Sequence, residues 1–292
     1  MSKIIRVFPR LTEVTPDDDM TFIGMPPVYD LHADEVHISV TFTYDIPFAE
    51  SLVKPWERVA PVKIGGPAFG DPGGDFTPGM YVKNGYFFTS RGCPNRCWFC
   101  DVPRREGNIR EIPITTGWNL LDSNILACSY EHIEKVFNAM IIRKDFYRGN
   151  KRPELTGGLE AARLTDRHIA LLLKLQPDQM FFAYDTPNDL EPLIEAGRKL
   201  RYADFTRHHL RCYVLIGYPF DTLEKAEKRL IQAWEAGFMP MAMLYRPSNM
   251  KKFSLKTHIE KDWKKFQRTW ARPALIRKYI KNQLISRGSD ND

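Results

Sequence analysis

Three of the five cysteines of this 292-residue chain lie within eight residues, in the stretch RGCPNRCWFCD. They are Cys93, Cys97 and Cys100, with the spacing C-x3-C-x2-C. Thiolate sulfurs are soft ligands that suit zinc and iron–sulfur clusters. A structural zinc site normally closes with four protein ligands, and no second C-x-x-C pair follows here. A [4Fe–4S] cluster held by three cysteines would instead leave one iron open to a small molecule.

The residues CPNRCWFC resemble the cluster-binding motif of the radical S-adenosylmethionine (SAM) superfamily, including the aromatic Phe99 before the third cysteine. The resemblance covers about residues 81–245. It implies a [4Fe–4S] cluster held by Cys93, Cys97 and Cys100, with SAM on the fourth iron. In that family the reduced cluster cleaves SAM, and a 5′-deoxyadenosyl radical abstracts hydrogen from a substrate or adds to it. An external electron donor such as flavodoxin or ferredoxin would supply the electron.

Strand-like and helical runs alternate along the chain around this motif. The strand-like runs are 85–90, 117–121, 153–158, 179–185, 211–218 and 239–245. Repeated β-then-α units indicate a parallel sheet with right-handed crossovers. Six strands are too few for a closed eight-fold barrel. We therefore predict an α/β fold with a partial (β/α)6 TIM-like barrel, which is also the fold that the family resemblance implies.

The pattern predicts three segments: a small Rossmann-like α/β unit at 1–80, the radical SAM core at 81–245, and a basic, aromatic-rich helical extension at 246–292. In the first segment, KIIRVF, EVHISVTF and PVKIGG predict strands, and IPFAESLVKPWERVA can hold a short helix. This segment resembles a shortened cobalamin-binding domain. It lacks the Asp-x-His-x-x-Gly signature, so we expect no cobalamin. Residues 1–92 contain no cysteine, which argues against a methylthiotransferase.

Polar residues at the carboxyl ends of the predicted strands are candidates for binding SAM, because ligands in parallel α/β folds bind there. In the family, a Gly-Gly-Glu motif after the second strand binds the SAM amino group. Here TGGLEAAR follows the third strand, and the second ends at LLDSNIL. By position, Asp122 and Asn124 are the candidates for the amino group. Glu160 and Arg163 are candidates for the SAM carboxylate or the substrate, or they form a surface ion pair.

Two later strand ends complete the predicted SAM site. Asp185 follows the fourth strand, where the family often places a ribose contact; alternatively, Asp185 or Thr186 caps the next helix. Gly217 follows the fifth strand, where the family's backbone runs along the adenine, and glycine permits that close approach. Phe99 would cover the adenine as well.

Positive charge is concentrated near the C-terminus, although the net charge is only +6. Residues 246–288 contain thirteen Lys and Arg against two acidic residues, whereas residues 1–245 carry −3. Aromatic residues at helical spacing, including Trp263 and Trp270, favour a packed helix with its lysines in water. The alternatives are lysine contacts with the phosphates of a nucleic acid, or a helix on a membrane surface.

The substrate class stays open between a nucleic acid, a peptide and a small metabolite. The alternative function is a non-catalytic iron–sulfur or zinc protein. Cys128 and Cys212 are predicted to be buried in apolar surroundings. No apolar run reaches the roughly 18–20 residues of a membrane span, and MSKIIRVFPRLTEV lacks the apolar core of a signal peptide. We therefore expect a cytoplasmic protein without a membrane span.

Overall fold

The computed structural model of the chain describes residues 2–146, 151–247 and 258–289. Contacts divide these residues into two compact units: the first holds 2–146 with Lys151 and Pro247, and the second holds 152–246 and 258–289. Both units combine helices with parallel strands, so the predicted α/β class is confirmed. The segment borders that the sequence pattern places after residues 80 and 245 stay a prediction.

The first unit begins with a four-stranded parallel sheet. Its strands are β1 (Ile4–Phe8), β2 (Thr21–Ile23), β3 (Glu35–Ser39) and β4 (Val62–Gly65), in the order β2-β1-β3-β4. The three predicted strands are confirmed. Strand β2 was missed because three residues are too few to show a period-2 pattern.

Helix α1 (Ile46–Trp56) connects β3 to β4 and supplies much of the apolar core of this sheet. Its fully buried residues are Ala49, Leu52 and Trp56. The indole N–H of Trp56 donates to the carbonyl oxygen of Gly24 at 2.8 Å. The same ring meets Phe22 edge-on, with 5.4 Å between centroids. Burial of this one side chain therefore joins the helix to β2 and to the residue that follows it.

The remaining elements of the first unit surround the cysteine stretch. They are β5 (Tyr86–Phe87), β6 (Ser90–Arg91), α2 (Val102–Arg105), β7 (Arg110–Glu111), β8 (Asn119–Leu120) and α3 (Tyr130–Phe146). Strands β5 and β8 pair in parallel, and β6 pairs with β7 in antiparallel fashion. The hydroxyl of Ser129 accepts the backbone N–H of His132 at 3.2 Å, so Ser129 caps α3.

The second unit alternates strands and helices. Its elements are β9 (Glu154–Leu159), α4 (Asp166–Leu175), β10 (Gln179–Tyr184), α5 (Leu190–Tyr202), β11 (Leu210–Ile216), α6 (Leu223–Glu235), β12 (Met239–Leu244), α7 (His258–Thr269) and α8 (Pro273–Ser289). The strands are parallel in the order β12-β11-β10-β9. All six predicted strands of the series therefore exist, four here and two as β5 and β8. Within the described ranges, no helix has the length and apolarity needed to cross a bilayer.

Helices α7 and α8 pack within the second unit through their aromatic residues. Trp270 is 1 % exposed, and its carbonyl oxygen accepts the backbone N–H of Ala242 in β12 at 3.1 Å. The hydroxyl of Tyr279 bonds to the carboxylate of Glu227 in α6. In the described part of the extension, the aromatic residues are thus packed within the second unit. Residues 248–257, which belong to the predicted basic segment, lie outside the described residues.

We predict that Trp56→Ala lowers the free energy of unfolding by about 3–5 kcal/mol, since it removes a large buried ring and leaves a cavity. Urea denaturation followed by circular dichroism measures this. Phe48→Ala is the matched control, because Phe48 lies on the same helix and is 47 % exposed. Its expected effect is within about 0.5 kcal/mol. Equal losses in the two variants would contradict the role given to Trp56.

Candidate functional site

The loop that carries the three cysteines is closed at its base by two hydrogen bonds. The backbone N–H of Gly92 donates to the carboxylate of Glu106 at 2.9 Å. The backbone N–H of Cys93 donates to the carbonyl oxygen of Gly107 at 3.1 Å. Gly92 has a φ of +83°, and a Cβ there would lie 2.2 Å from the backbone oxygen of Asn108. Only glycine fits this position, so β6 delivers Cys93 to a fixed point.

All three thiols of the loop are half-buried. Burial raises the pKa of Cys100, and a hydrogen bond from the backbone of Val102 opposes that shift. Across the described part of the chain, no three His, Cys, Asp or Glu side chains are close enough together to hold a metal ion. The structure therefore shows three thiols on one anchored loop, and their sulfur atoms are not close enough together to bind one metal ion.

The loop fits a soft metal group by the chemistry of its donors. Three cysteine sulfurs suit zinc or an iron–sulfur cluster better than a hard cation. Such ligands must lose their protons when the metal binds, and the binding free energy orders the chain around it. The assignment of Cys93, Cys97 and Cys100 as metal ligands stays a prediction.

Asp122, which follows β8, fixes the strand that leads into the loop. Its side chain is buried, and Oδ1 accepts the backbone N–H of Thr89 at 2.7 Å. Oδ2 accepts the hydroxyls of Thr89 at 2.7 Å and Ser90 at 2.8 Å. Burial raises the pKa of Asp122, and these hydrogen bonds oppose that rise. The predicted contact between Asp122 and the SAM amino group stays a prediction.

Asn124 lies against the first cysteine of the motif. Its side-chain nitrogen Nδ2 is 3.6 Å from the Sγ atom of Cys93. Strands β5 and β8 are parallel neighbours, so the segments that follow them emerge at the same edge. The structure therefore brings one predicted SAM-binding residue next to one predicted cluster ligand, although 31 positions separate them.

Two adjacent aromatic rings precede the third cysteine. Phe99 is half-buried and meets Trp98 edge-on, with 5.3 Å between centroids. Trp98 is 54 % exposed, which is a large apolar area to leave in water. These rings give the loop an apolar rim. The predicted contact between Phe99 and adenine stays a prediction.

Arg91 is a half-buried residue near the loop that the sequence did not single out. Its guanidinium carbon lies 4.1 Å from the ring centroid of Phe88. Burial lowers the pKa of Arg91, and its Nε atom has no hydrogen-bond partner among the described residues. A Cβ at Gly73 would lie 3.0 Å from that Nε atom, so the Gly- and Pro-rich stretch closes over the arginine. The sequence shows that an arginine precedes the first cysteine of the loop, but its burial is visible only in the structure.

The other two cysteines do not resemble metal ligands. Burial raises the pKa of Cys128 to about 12. Cys212 lies in β11 with no exposed surface, and burial raises its pKa well above the usual range. Both thiols therefore keep their protons at neutral pH. The predicted burial is confirmed for Cys212, whereas Cys128 is only half-buried and interacts with Ser90.

In the second unit, Glu160 and Arg163 follow β9 and form an ion pair. The distance from Nε of Arg163 to Oε2 of Glu160 is 2.6 Å, and the arginine side chain is 40 % exposed. This is the surface pair that the sequence left open as an alternative. Pairs this exposed contribute little to stability. Their assignment to SAM or the substrate stays a prediction.

Asp185 follows β10 and connects it to the next strand. Its Oδ1 atom accepts the backbone N–H of Leu215 in β11 at 3.0 Å. Burial raises the pKa of Asp185 to about 7. Thr186 is the N-cap of the 3₁₀ turn Pro187–Asp189 that follows, and the Oδ2 atom of Asp189 accepts its backbone N–H and its hydroxyl at 2.7 and 3.0 Å. The predicted alternative of a cap is therefore confirmed at Thr186, whereas the carboxylate of Asp185 bonds to Leu215.

Gly217 ends β11 in a left-handed conformation with a φ of +71°. A Cβ there would lie 2.7 Å from the side chain of Leu244. Its backbone N–H donates to Asp221 at 2.8 Å, and Asp221 pairs with the buried Arg229 at 2.8 Å. The turn is thus fixed by a buried ion pair, and the side chains of Leu244 and Trp263 occupy the space next to Gly217.

The structure places the predicted site residues in two groups. The first unit holds Phe99, Asp122 and Asn124 with the three cysteines, and the second holds Glu160, Arg163, Asp185 and Gly217. No protein-family model matches the chain, and no curated protein matches its sequence. The assignment of a function therefore depends on the chemistry of these residues.

The raised pKa of Asp185 predicts a pH-dependent stability. The folded state favours the neutral acid, so its contribution is complete below the ordinary pKa of 3.8 and is lost as pH rises towards 7. Relative to Asp185→Asn, the wild-type chain should lose roughly 1.4 kcal/mol of unfolding free energy per pH unit in that interval. Urea denaturation of both proteins at pH 5, 6 and 7 measures the difference. A difference that does not change with pH would contradict the burial of the acid.

Proposed function

We propose that this chain is a radical SAM enzyme in which Cys93, Cys97 and Cys100 hold a [4Fe–4S] cluster and SAM binds the remaining iron. The proposal includes the partial (β/α)6 barrel that the six strands of the β-then-α series predict. The contact between Asn124 and Cys93 is the observation that carries it.

That contact supports the proposal because two separate features of the sequence point to its two residues. The spacing of the thiols indicates that Cys93 is a cluster ligand, and the place of Asn124 after the second strand of the series indicates that it binds SAM. A molecule that binds a cluster iron through its amino and carboxylate groups needs a polar partner within a few ångströms of the cluster. The 3.6 Å between Nδ2 and Sγ places an amide at that distance.

When bound, the cluster supplies the electron that cleaves SAM to a 5′-deoxyadenosyl radical. The residues of this chain position the reactants. Glu106 holds the base of the loop, and Asp122 holds the strand before it. The amide of Asn124 donates towards the sulfur of Cys93, and hydrogen bonds to cluster sulfurs tune the reduction potential. Trp98 supplies apolar surface that keeps water from the site.

The second unit holds the other residues that the sequence assigns to SAM or the substrate. Strands β9, β10 and β11 are parallel neighbours, so the residues that follow them share one edge of the sheet. We assign Asp185 to the ribose, the backbone at Gly217 to the adenine, and Glu160 with Arg163 to the SAM carboxylate or the substrate.

We predict that anaerobically purified protein is brown, contains about four iron and four sulfide per chain, and forms 5′-deoxyadenosine when reduced with SAM. Replacement of Cys93, Cys97 or Cys100 by alanine should abolish both the cluster and the nucleoside, because each thiol holds one iron. Iron and sulfide analysis, visible absorbance and chromatography of the nucleoside measure these outcomes.

The control for the three cysteine variants is Cys128→Ala. Cys128 belongs to the same unit and is half-buried, but its raised pKa makes it a poor ligand. This variant should keep its iron, its sulfide and its colour. A colourless wild-type protein that contains zinc would refute the proposal and favour the alternative of a non-catalytic metal protein. An iron–sulfur protein that never cleaves SAM would favour an electron-transfer role.

Nucleic acid is the substrate class that a specific observation favours. Helix α7 carries Lys261, Lys265 and Arg268 as exposed residues, while its aromatic side is turned to the second unit. An exposed basic face on a packed helix can contact phosphates without unfolding. A peptide or a small metabolite is the alternative substrate. The proposal places the protein in the cytoplasm without cobalamin, with flavodoxin or ferredoxin as the external electron donor.

We predict that RNA or DNA binds the protein at low salt and that the affinity falls steeply as salt rises. The double variant Lys265→Gln/Arg268→Gln should reduce the slope of log K against log salt by about two, because two phosphate contacts are lost. Fluorescence anisotropy measures the slope. The control variant Lys174→Gln/Lys225→Gln removes two exposed lysines from other helices of the same unit and should leave the slope unchanged. Absence of binding at low salt would exclude this partner.

A further inference from the structure

A cleft lies in the first unit, at the carboxyl ends of β1 and β3. Its empty space of about 330 Å³ includes open solvent. Phe8 and Ser39, the last residues of the two strands, line it together with residues of the segments that follow them. None of its residues belongs to the cysteine loop or to the predicted SAM site.

The topology of the sheet favours a ligand at this place. In the order β2-β1-β3-β4, the chain continues from β1 to one side and from β3 to the other. The connections that leave β1 and β3 therefore separate, and a crevice opens between them. In open parallel sheets, ligands bind outside the carboxyl ends of the strands at this reversal of strand order. The cleft lies at that reversal.

The charges of the cleft cancel each other. Arg10 donates from Nε to Oδ2 of Asp45 at 2.6 Å, and its Nη2 atom donates to Oδ1 of the same carboxylate. Asp45 is buried, and the guanidinium carbon lies 4.9 Å from the ring centroid of Tyr44. A ligand with a full negative charge would meet the buried carboxylate as well as the arginine. The pair therefore favours an uncharged ligand.

The ion pair still has capacity for hydrogen bonds. The Nη1 atom of Arg10 makes no hydrogen bond with any residue that the structure describes. Each oxygen of Asp45 accepts one bond from Arg10 and retains a further lone pair. Donors and acceptors thus lie side by side, which suits a ligand whose hydroxyls both donate and accept.

Hydroxyl groups line the rest of the cleft. Thr12 and Thr15 bond to each other at 2.8 Å, and Ser39 and Thr41 contribute two more hydroxyls. The hydroxyl of Tyr81 is held by Nδ1 of a histidine at 2.6 Å, so its position is fixed. Phe8, Phe42 and Tyr81 add aromatic surface. Hydroxyls next to aromatic surface and a neutral ion pair match the chemistry of a sugar ring.

We propose that this cleft binds the vicinal diol of an uncharged ribose, either as the free sugar or within a nucleoside. Asp45 accepts from the diol, Nη1 of Arg10 donates to it, and Ser39 and Thr41 bond to the remaining ring substituents. This site is independent of the cluster and of SAM.

The test uses the full chain and uridine, whose base differs from the adenine of SAM. Titrations followed by calorimetry compare uridine, 2′-deoxyuridine, uridine 5′-monophosphate and ribose. We expect 2′-deoxyuridine to bind at least about tenfold more weakly than uridine, and the monophosphate to bind no more tightly. Ser39→Ala/Thr41→Val should weaken uridine binding by about tenfold or more, whereas Ser51→Ala, on the exposed side of α1, should leave it unchanged.

Each outcome decides the proposal. Equal affinity for ribose and uridine supports the free sugar as the source, and binding of uridine alone supports a nucleoside. If uridine 5′-monophosphate binds more tightly than uridine, the cleft is an anion site and the proposal is overturned. If 2′-deoxyuridine binds as tightly as uridine, the cleft does not recognise the diol and the proposal is also overturned. Amide chemical-shift changes on adding uridine to the wild-type chain should include Thr12 and Thr41. Changes confined to other residues, or no binding of uridine or ribose, would also overturn it.

Discussion

The buried carboxylate of Asp122 is the interaction on which the cysteine loop depends. A carboxylate removed from water is costly unless its lone pairs are satisfied. Here one backbone N–H and two hydroxyls, from Thr89 and Ser90, satisfy it. All three donors belong to the two residues that lead the chain towards Cys93. The energy that offsets the burial of this acid therefore also determines where the first thiol lies.

The second unit uses acidic side chains in the same way. Asp185 accepts a backbone N–H of the neighbouring strand, and Asp221 accepts the N–H of Gly217 while it pairs with Arg229. In both units, an acid that follows a parallel strand accepts a backbone N–H from elsewhere in the chain, at Thr89, Leu215 or Gly217. An acid at the end of a strand therefore stabilises that edge of the sheet. Any contact that it makes with a ligand comes in addition to this structural role.

Local patterns were sufficient to predict the β-then-α series, because its strands are apolar runs separated by periodic helices. They were not sufficient for side-chain pairing. The spacing of Asp221 and Glu224 is that of a capping box at the start of α6, but the cap is Thr222, whose hydroxyl accepts the backbone N–H of Lys225. The pattern places the cap one residue too early because Asp221 pairs with Arg229, eight positions away.

The candidate site shows the same limit. The spacing of the three thiols is local and can be read directly, whereas the contact between Asn124 and Cys93 depends on the pairing of β5 with β8. The position of Asn124 after a strand made it a candidate, and tertiary structure supplied its neighbour. Arg91 had no such pattern, because its burial comes from residues distant in the chain.

The docking of α7 has a consequence for the distances between its charges. Trp263 lies beside Gly217, and Trp270, just after the helix, is buried, so the helix cannot slide or turn on the unit. Residues four apart on a helix are separated by about 6 Å along its axis. The axial spacing of Lys261 and Lys265 is therefore fixed by the docking of the helix. Charges at fixed positions fit a partner with regularly spaced negative charges better than one whose charges are irregularly spaced.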